Sequence, residues 1–256
     1  MTMIVAERTY RNVATGNDVA ARVFAPERVD DFEWRCRIAI EGLESPVDKW
    51  ISGVDSFQSL CLGLKLLCRL LTEDEGSLAF LNGDPGDVDV PLIADCCFPQ
   101  TRTEALRFIT ERDRELLDAL PGPIPSVPPE NVPETKLTEV VAERVLRDVT
   151  TDTAVVARLS APRRAGPRSW YCDIEIRGLG NPFEMAISGV DSFQALYLGL
   201  YRTCVHLEKH EHHLADAVDG APAGDANLPF ISFCPPEAKQ EVHRDMRDKL
   251  TTEARP

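Results

Sequence analysis

Trp34, Cys36, Ile38 and Ile40 alternate with Arg35, Arg37, Ala39 and Glu41, the period-two pattern of a strand with one face buried. The same alternation returns at Trp170, Cys172, Ile174 and Ile176, with Tyr171, Asp173, Glu175 and Arg177 pointing the other way. Residues 19–25 and 155–161 read as strands ended by Pro26 and Pro162. Residues 5–13 and 141–149 precede them as first strands, and residues 47–52 and 183–188 follow as fourth strands. Short connections between such strands predict an antiparallel meander, since a parallel pair needs a long crossover.

The period then changes. Phe57, Leu60, Cys61, Leu64, Leu67, Cys68 and Leu71 fall at helical spacing, as do Phe193, Leu196, Tyr197, Leu200, Thr203, Cys204 and Leu207. Each helix carries an internal glycine, Gly63 or Gly199, which predicts close approach to a neighbouring element. Leu62, Leu66 and Leu70 make the first helix apolar nearly all round, whereas Leu198, Arg202 and His206 replace them in the second. The first helix is thus expected at an interface between domains or subunits, with its counterpart more exposed.

These echoes are a tandem duplication: residues 5–71 align without a gap on residues 141–207, at an offset of 136 with about half the positions identical. Similarity resumes at GDVDVPLI (86–93) and GDANLPFI (224–231), followed by charged amphipathic segments at 103–120 and 236–250. Between the copies, residues 121–135 hold six prolines and read as a semi-rigid linker. The expected organisation is a first unit at 1–120, a linker at 121–135 and a second unit at 136–256. The expected fold is α+β: each unit is an antiparallel sheet of four or more strands on a long helix, plus a shorter C-terminal helix.

Composition narrows the function. A net charge of −14, split as −10 over residues 1–136 and −4 over the rest, disfavours nucleic acid and anionic membranes as partners and suits a basic protein. No stretch reaches the roughly 20 apolar residues of a membrane helix, and the start lacks a signal-peptide pattern, so a cytoplasmic location is expected. In that reducing compartment the eight cysteines, Cys36, Cys61, Cys68, Cys96, Cys97, Cys172, Cys204 and Cys234, read as small buried hydrophobes.

The longest perfect repeat is ISGVDSFQ, at 51–58 and 187–194. Asp55 and Asp191 suit a helix N-cap, and Gln58 and Gln194 can reach back to the cap, as in a capping box. Gly53 and Gly189 permit the tight turn, while Val54 and Val190 are placed to pack beside the helix. The functional alternative makes Ser52, Asp55, Ser56 and Gln58, with Ser188, Asp191, Ser192 and Gln194, a ligand site at a helix N-terminus, where backbone donors favour anions. No nucleophile elbow or phosphate loop supports it, and capping is favoured. Ser52 and Ser188 have no structural role on this reading.

Arg8, Arg22, Arg144 and Arg158 recur with Glu7 and Glu143 and read as a solvated or paired strand face, with Arg22 beside Glu7. A binding role for these arginines is the lesser alternative. His206, His210 and His213 sit at i, i+4, i+7 and would share one helix face, a candidate zinc, copper or nickel site that needs a further ligand from elsewhere. No cofactor is implied, and no set of residues reads as catalytic.

Glu7-Arg8, Trp34 to Leu43 and Gly53 to Leu62, repeated as Glu143-Arg144, Trp170 to Leu179 and Gly189 to Leu198, resemble an uncharacterised bacterial family, domain of unknown function 6968, in two copies. The resemblance implies no activity. The expected function is a non-enzymatic protein-interaction module, of the immunity or accessory type, with an acidic surface. The alternatives are a small-molecule or metal-binding protein, an enzyme included, using the second-copy histidines or the polar helix start, and self-association through the first helix.

Overall fold

The computed structural model describes residues 3–73, 77–81, 83, 85–86, 88–94, 137–217, 223–224, 226 and 228–232. The linker at 121–135, the segments at 103–120 and 236–250, and Cys96, Cys97 and Cys234 lie outside the described residues.

The first unit begins with β1 (Ile4–Asn12), β2 (Asp18–Phe24), β3 (Glu27–Arg28), β4 (Trp34–Glu41) and β5 (Val47–Gly53). Helix α1 (Ser56–Glu73), β6 (Leu78–Phe80) and β7 (Leu92–Ala94) follow. The second unit repeats the series as β8 (Val140–Asp148), β9 (Thr153–Ser160), β10 (Arg163–Gly166), β11 (Ser169–Arg177) and β12 (Phe183–Gly189). It continues with α2 (Ser192–Glu208), β13 (Leu214–Asp216) and β14 (Phe230–Ser232).

Successive strands pair antiparallel: β1 with β2, β2 with β4, and β4 with β5. Each two-unit counterpart does the same, so both meanders form as the alternation predicts. Pro26 and Pro162 end β2 and β9, since proline supplies no ladder donor. The short β3 and β10 resume pairing with the first residues of β4 and β11. The helix then recrosses the sheet, which lets β6 join the far edge beside β1 and β13 the far edge beside β8.

The seven positions that mark each helix are all buried: those of α1 share one cluster with Cys36, Ile38 and Ile40, and on α2 Phe193, Leu196, Tyr197, Leu200 and Cys204 share it with Cys172 while Leu207 joins Ile174 and Ile176. Gly63 and Gly199 provide the contact: a Cβ there would lie 3.0 Å from the Cys36 sulfur and 2.8 Å from the Cys172 sulfur. Gly53 and Gly189 let the strand end pass under the first helical turn, where a Cβ would lie 2.5 and 2.3 Å from backbone nitrogens of Ser59 and Ala195. Val54 and Val190, expected beside the helix, are exposed instead, because only their N–H groups are used in the turn.

The sheets remain separate, but the units share a core. Val5, Ala6 and Tyr10 of β1, the buried face of α1, and Ala142, Phe193, Leu196, Tyr197 and Leu200 form one apolar cluster. Helix α1 packs on β8 and α2 packs on β1, so both helices lie between the units. The first helix thus lies at an interface between the units, as expected, but its counterpart, expected to be more exposed, lies there too. Strands β7 and β14 also pair across the units, Leu92 to Ala94 against Ser232 to Phe230. Among the described residues no helix is long and apolar enough to cross a membrane.

Candidate functional site: a reciprocal clamp between the repeats

The start of each helix is capped as its sequence predicts. Asp55 Oδ1 accepts from the backbone N–H of Gln58 at 2.6 Å, and Asp191 Oδ1 from that of Gln194 at 2.7 Å. The glutamines reach back one residue further than the cap, their Oε1 atoms accepting from Val54 N–H at 2.9 Å and Val190 N–H at 2.8 Å. Each cap carboxylate still has an oxygen free to face outward from its own unit.

That oxygen meets an arginine of the other copy. Arg8 donates from Nε to Asp191 Oδ2 at 2.7 Å and from Nη2 to Asp191 Oδ1 at 3.2 Å, a bidentate pair. Arg144 donates from Nη1 to Asp55 Oδ2 at 3.0 Å. The neighbouring serines lock the same contact: Ser192 Oγ accepts from Glu7 N–H at 2.9 Å and donates to the Glu7 carbonyl at 3.2 Å. Ser56 does the same with Glu143, at 2.8 and 3.2 Å. The exchange is reciprocal, as in the self-complementary interface of a symmetric dimer.

Arg8 and Arg144 are each 1% exposed, so of the solvated and paired readings only pairing holds for them, and their partners Asp191 and Asp55 lie in the other unit. Alternation explains the position: Ala6, Arg8 and Tyr10 share the inward face of β1, as Ala142, Arg144 and Leu146 share that of β8. Arg22 and Arg158 fit the paired-face reading, since Arg22 is the register partner of Glu7 and pairs with it, and Arg158 Nε lies 2.6 Å from Glu143.

The two arginine sites are finished differently. Arg8 also donates from Nη1 to the Asp89 carbonyl at 2.5 Å and to Asp89 Oδ2 at 3.1 Å, and its guanidinium lies 3.9 Å from the centre of the Phe80 ring. Burial alone lowers the pKa of Arg8, but the Asp191 hydrogen bond and nearby acidic groups outweigh it and hold it raised. Arg144 is completed by Asp216 Oδ2 at 3.4 Å and the Ala226 carbonyl at 2.9 Å, while its buried Nε has no hydrogen-bond partner among the described residues. Burial raises the pKa of Asp55, against the opposing pull of Arg144.

The remaining candidates are dispersed. Ser52 donates to Glu33 at 2.6 Å and thereby acquires a role, while Ser188 is exposed. Helix α2 ends at Glu208, so His210 lies in the following turn and His213 closes the 3-10 turn Glu211–His213. The i, i+4, i+7 spacing therefore does not become one helix face. His206 stacks on Phe183 with ring centroids 4.0 Å apart, and its pKa is lowered, first by burial and then by His210 and Lys209. Among the described residues no group of three or more His, Cys, Asp or Glu side chains is placed to hold a metal ion.

Sequence reasoning identified the polar octapeptide and the recurring arginines but assigned them separately. The signal that joins them was the arginine phase, inward between Ala6 and Tyr10, which demanded a buried acidic partner.

The arrangement defines a class: an internally duplicated α+β protein whose two copies clasp one another through their helix starts. The family model of a domain of unknown function, DUF6968, matches residues 6–92 and again 142–229, and the chain belongs to that family as two tandem copies. No curated protein and no solved structure matches the chain.

Proposed function

We propose that the protein is a non-enzymatic protein-interaction module whose first unit meets a basic partner. What carries the reading is the turn between β3 and β4, where Phe32 is 85% exposed and is flanked by Asp30, Asp31 and Glu33. An apolar side chain held out on an acidic turn suits a partner with an apolar pocket rimmed by lysine or arginine. Asp30 Oδ1 shapes the turn by accepting from Phe32 N–H at 2.7 Å, and Arg28 pairs with Asp31 at 2.6 Å.

The outer sheet face of the same unit presents a second aromatic. Trp50 is 44% exposed beneath the Arg35 guanidinium, 4.3 Å from the ring centre. The second unit has Arg168 and Ala186 at the positions of Phe32 and Trp50, so this surface belongs to one copy alone. The reciprocal clamp supports the reading too, because the polar residues repeated in both copies are turned toward each other.

The test is capture from the native host with wild-type protein, Phe32→Asp and Trp50→Ala. The expected result is one stoichiometric partner retained by wild type, weakened by both substitutions and by added salt. Recovery of no stoichiometric partner, or of one indifferent to both substitutions, removes the reading.

A further inference from the structure

A duplication that docks reciprocally starts from two identical, self-complementary patches, so each copy can at first pair with its own kind as well as with the other. The two patches in this chain are no longer identical. At one register position of the first unit, Tyr10 stands opposite Phe80; the same position in the second unit has Leu146 opposite Asp216. On the helices, Tyr197 of α2 stands where α1 has Cys61.

These differences match across the interface. Tyr197 is 2% exposed, meets Phe193 edge-on with centroids 5.8 Å apart, and its ring centre lies 5.9 Å from the Arg8 guanidinium. Tyr10 and Phe80 pack against each other at 6.0 Å, and Phe80 covers Arg8. Burial beside Asp89 pushes the Tyr197 hydroxyl up to about 12, so it remains a neutral phenol in the contact. The second unit's own arginine site instead holds Asp216 against Arg144.

We propose that the two repeats are a diverged hetero-pair that selects itself, with Tyr197 as the residue by which the second unit prefers the first unit over another copy of itself. Two first units together would set Cys61 against Arg8, Phe80 and Tyr10 and leave the space of a phenol ring empty. Two second units together would crowd Tyr197 against Leu146 and Asp216, where no aromatic ring receives it. Both like pairs are penalised and the unlike pair is complementary, which is how specificity arises as a difference between affinities.

The experiment uses the full chain with a protease site placed within residues 121–135, so that covalent linkage no longer enforces the pairing. The protein is cleaved, unfolded in urea, refolded by dilution and weighed by native mass spectrometry. The expected product is the unlike pair alone. Fragments that stay monomeric, or that form like pairs at the statistical share of about half expected for equal affinities, overturn the proposal.

Two substitutions isolate the residue. Tyr197→Cys gives the second helix the side chain the first one already has, and is expected to produce pairs of second units at no less than a tenfold higher share. Tyr197→Phe keeps the ring and is expected to retain the unlike pair. Melting of each uncut variant shows that it folds, and an unchanged pair distribution for folded Tyr197→Cys overturns the role of Tyr197.

Discussion

Arg8 and Asp191, 183 residues apart in sequence, form a bidentate ion pair in which the aspartate simultaneously caps a helix of the opposite repeat. The guanidinium is fully buried and the carboxylate partly so, with side-chain exposures of 0% and 21%. Removing one partner of such a pair leaves an uncompensated charge, so Arg8→Ala is expected to cost about 3–5 kcal/mol. Arg144, whose Nε has no hydrogen-bond partner among the described residues, is expected to cost less when changed to alanine. Urea unfolding of both variants decides it, and an Arg8/Asp191 double-mutant cycle with no coupling energy would refute the clamp.

Ser56 and Ser192 each satisfy both backbone groups of one glutamate in the other unit. Alanine at either position leaves a part-buried N–H and C=O without their hydroxyl, and about 1–3 kcal/mol of stability should be lost. Hydrogen exchange offers the more specific readout: the Glu143 amide should lose protection in Ser56→Ala, and the Glu7 amide in Ser192→Ala.

Alanine at Gly63 or Gly199 is a better helix former, yet each should destabilise the protein. The added methyl would sit 3.0 or 2.8 Å from a cysteine sulfur on the sheet, and forced overpacking costs about 1–3 kcal/mol. The tighter site, Gly199, should suffer more. Pairing Gly199→Ala with Cys172→Ala should recover part of the loss; a melting temperature raised by Gly199→Ala alone would show that the helix and sheet can separate at no cost.

Burial raises the pKa of Asp55 above its ordinary 3.8, so the folded state binds this proton more tightly than the unfolded chain. Stability from this group therefore rises as pH falls through the folded value toward 3.8, and is lost as pH rises through the same window. The unfolding free energy of wild type relative to Asp55→Asn should accordingly improve as pH is lowered over that range. A difference that is flat, or that worsens toward acid, contradicts the shift.

The Cys36 thiol is pushed up to about 12 by burial, and burial raises Cys172 as well. Both sulfurs lie under the helix, where Cys36 faces the Phe24 carbonyl at 3.4 Å and Cys172 the Ser160 carbonyl at 3.4 Å. Neither should react with a thiol reagent at pH 8 in the native protein, and labelling should track global unfolding. Rapid modification of either under native conditions would show that the helix opens locally.

Much of the unit was legible from periodicity alone. Alternation at Trp34 to Ile40 and helical spacing at Phe57 to Leu71 depend on neighbours in sequence, and both elements formed where the pattern placed them. Asp55 as a cap and Gly63 as a contact point were equally local inferences. The clamp was not legible in the same way, because a lone arginine on a strand is ambiguous until its inward phase is weighed against the cost of burying it.

The sequence by itself determined the duplication, the strands, the helices and the capped turns, since each follows from residues within a few positions of one another. Only the tertiary structure decided that Asp55 and Ser56 serve Arg144 and Glu143 of the other copy, and Asp191 and Ser192 serve Arg8 and Glu7. The physical reason is that a carboxylate has two oxygens. One is committed by the local helix start, and the other is free to be claimed by whichever buried cation the packing of two units brings within reach.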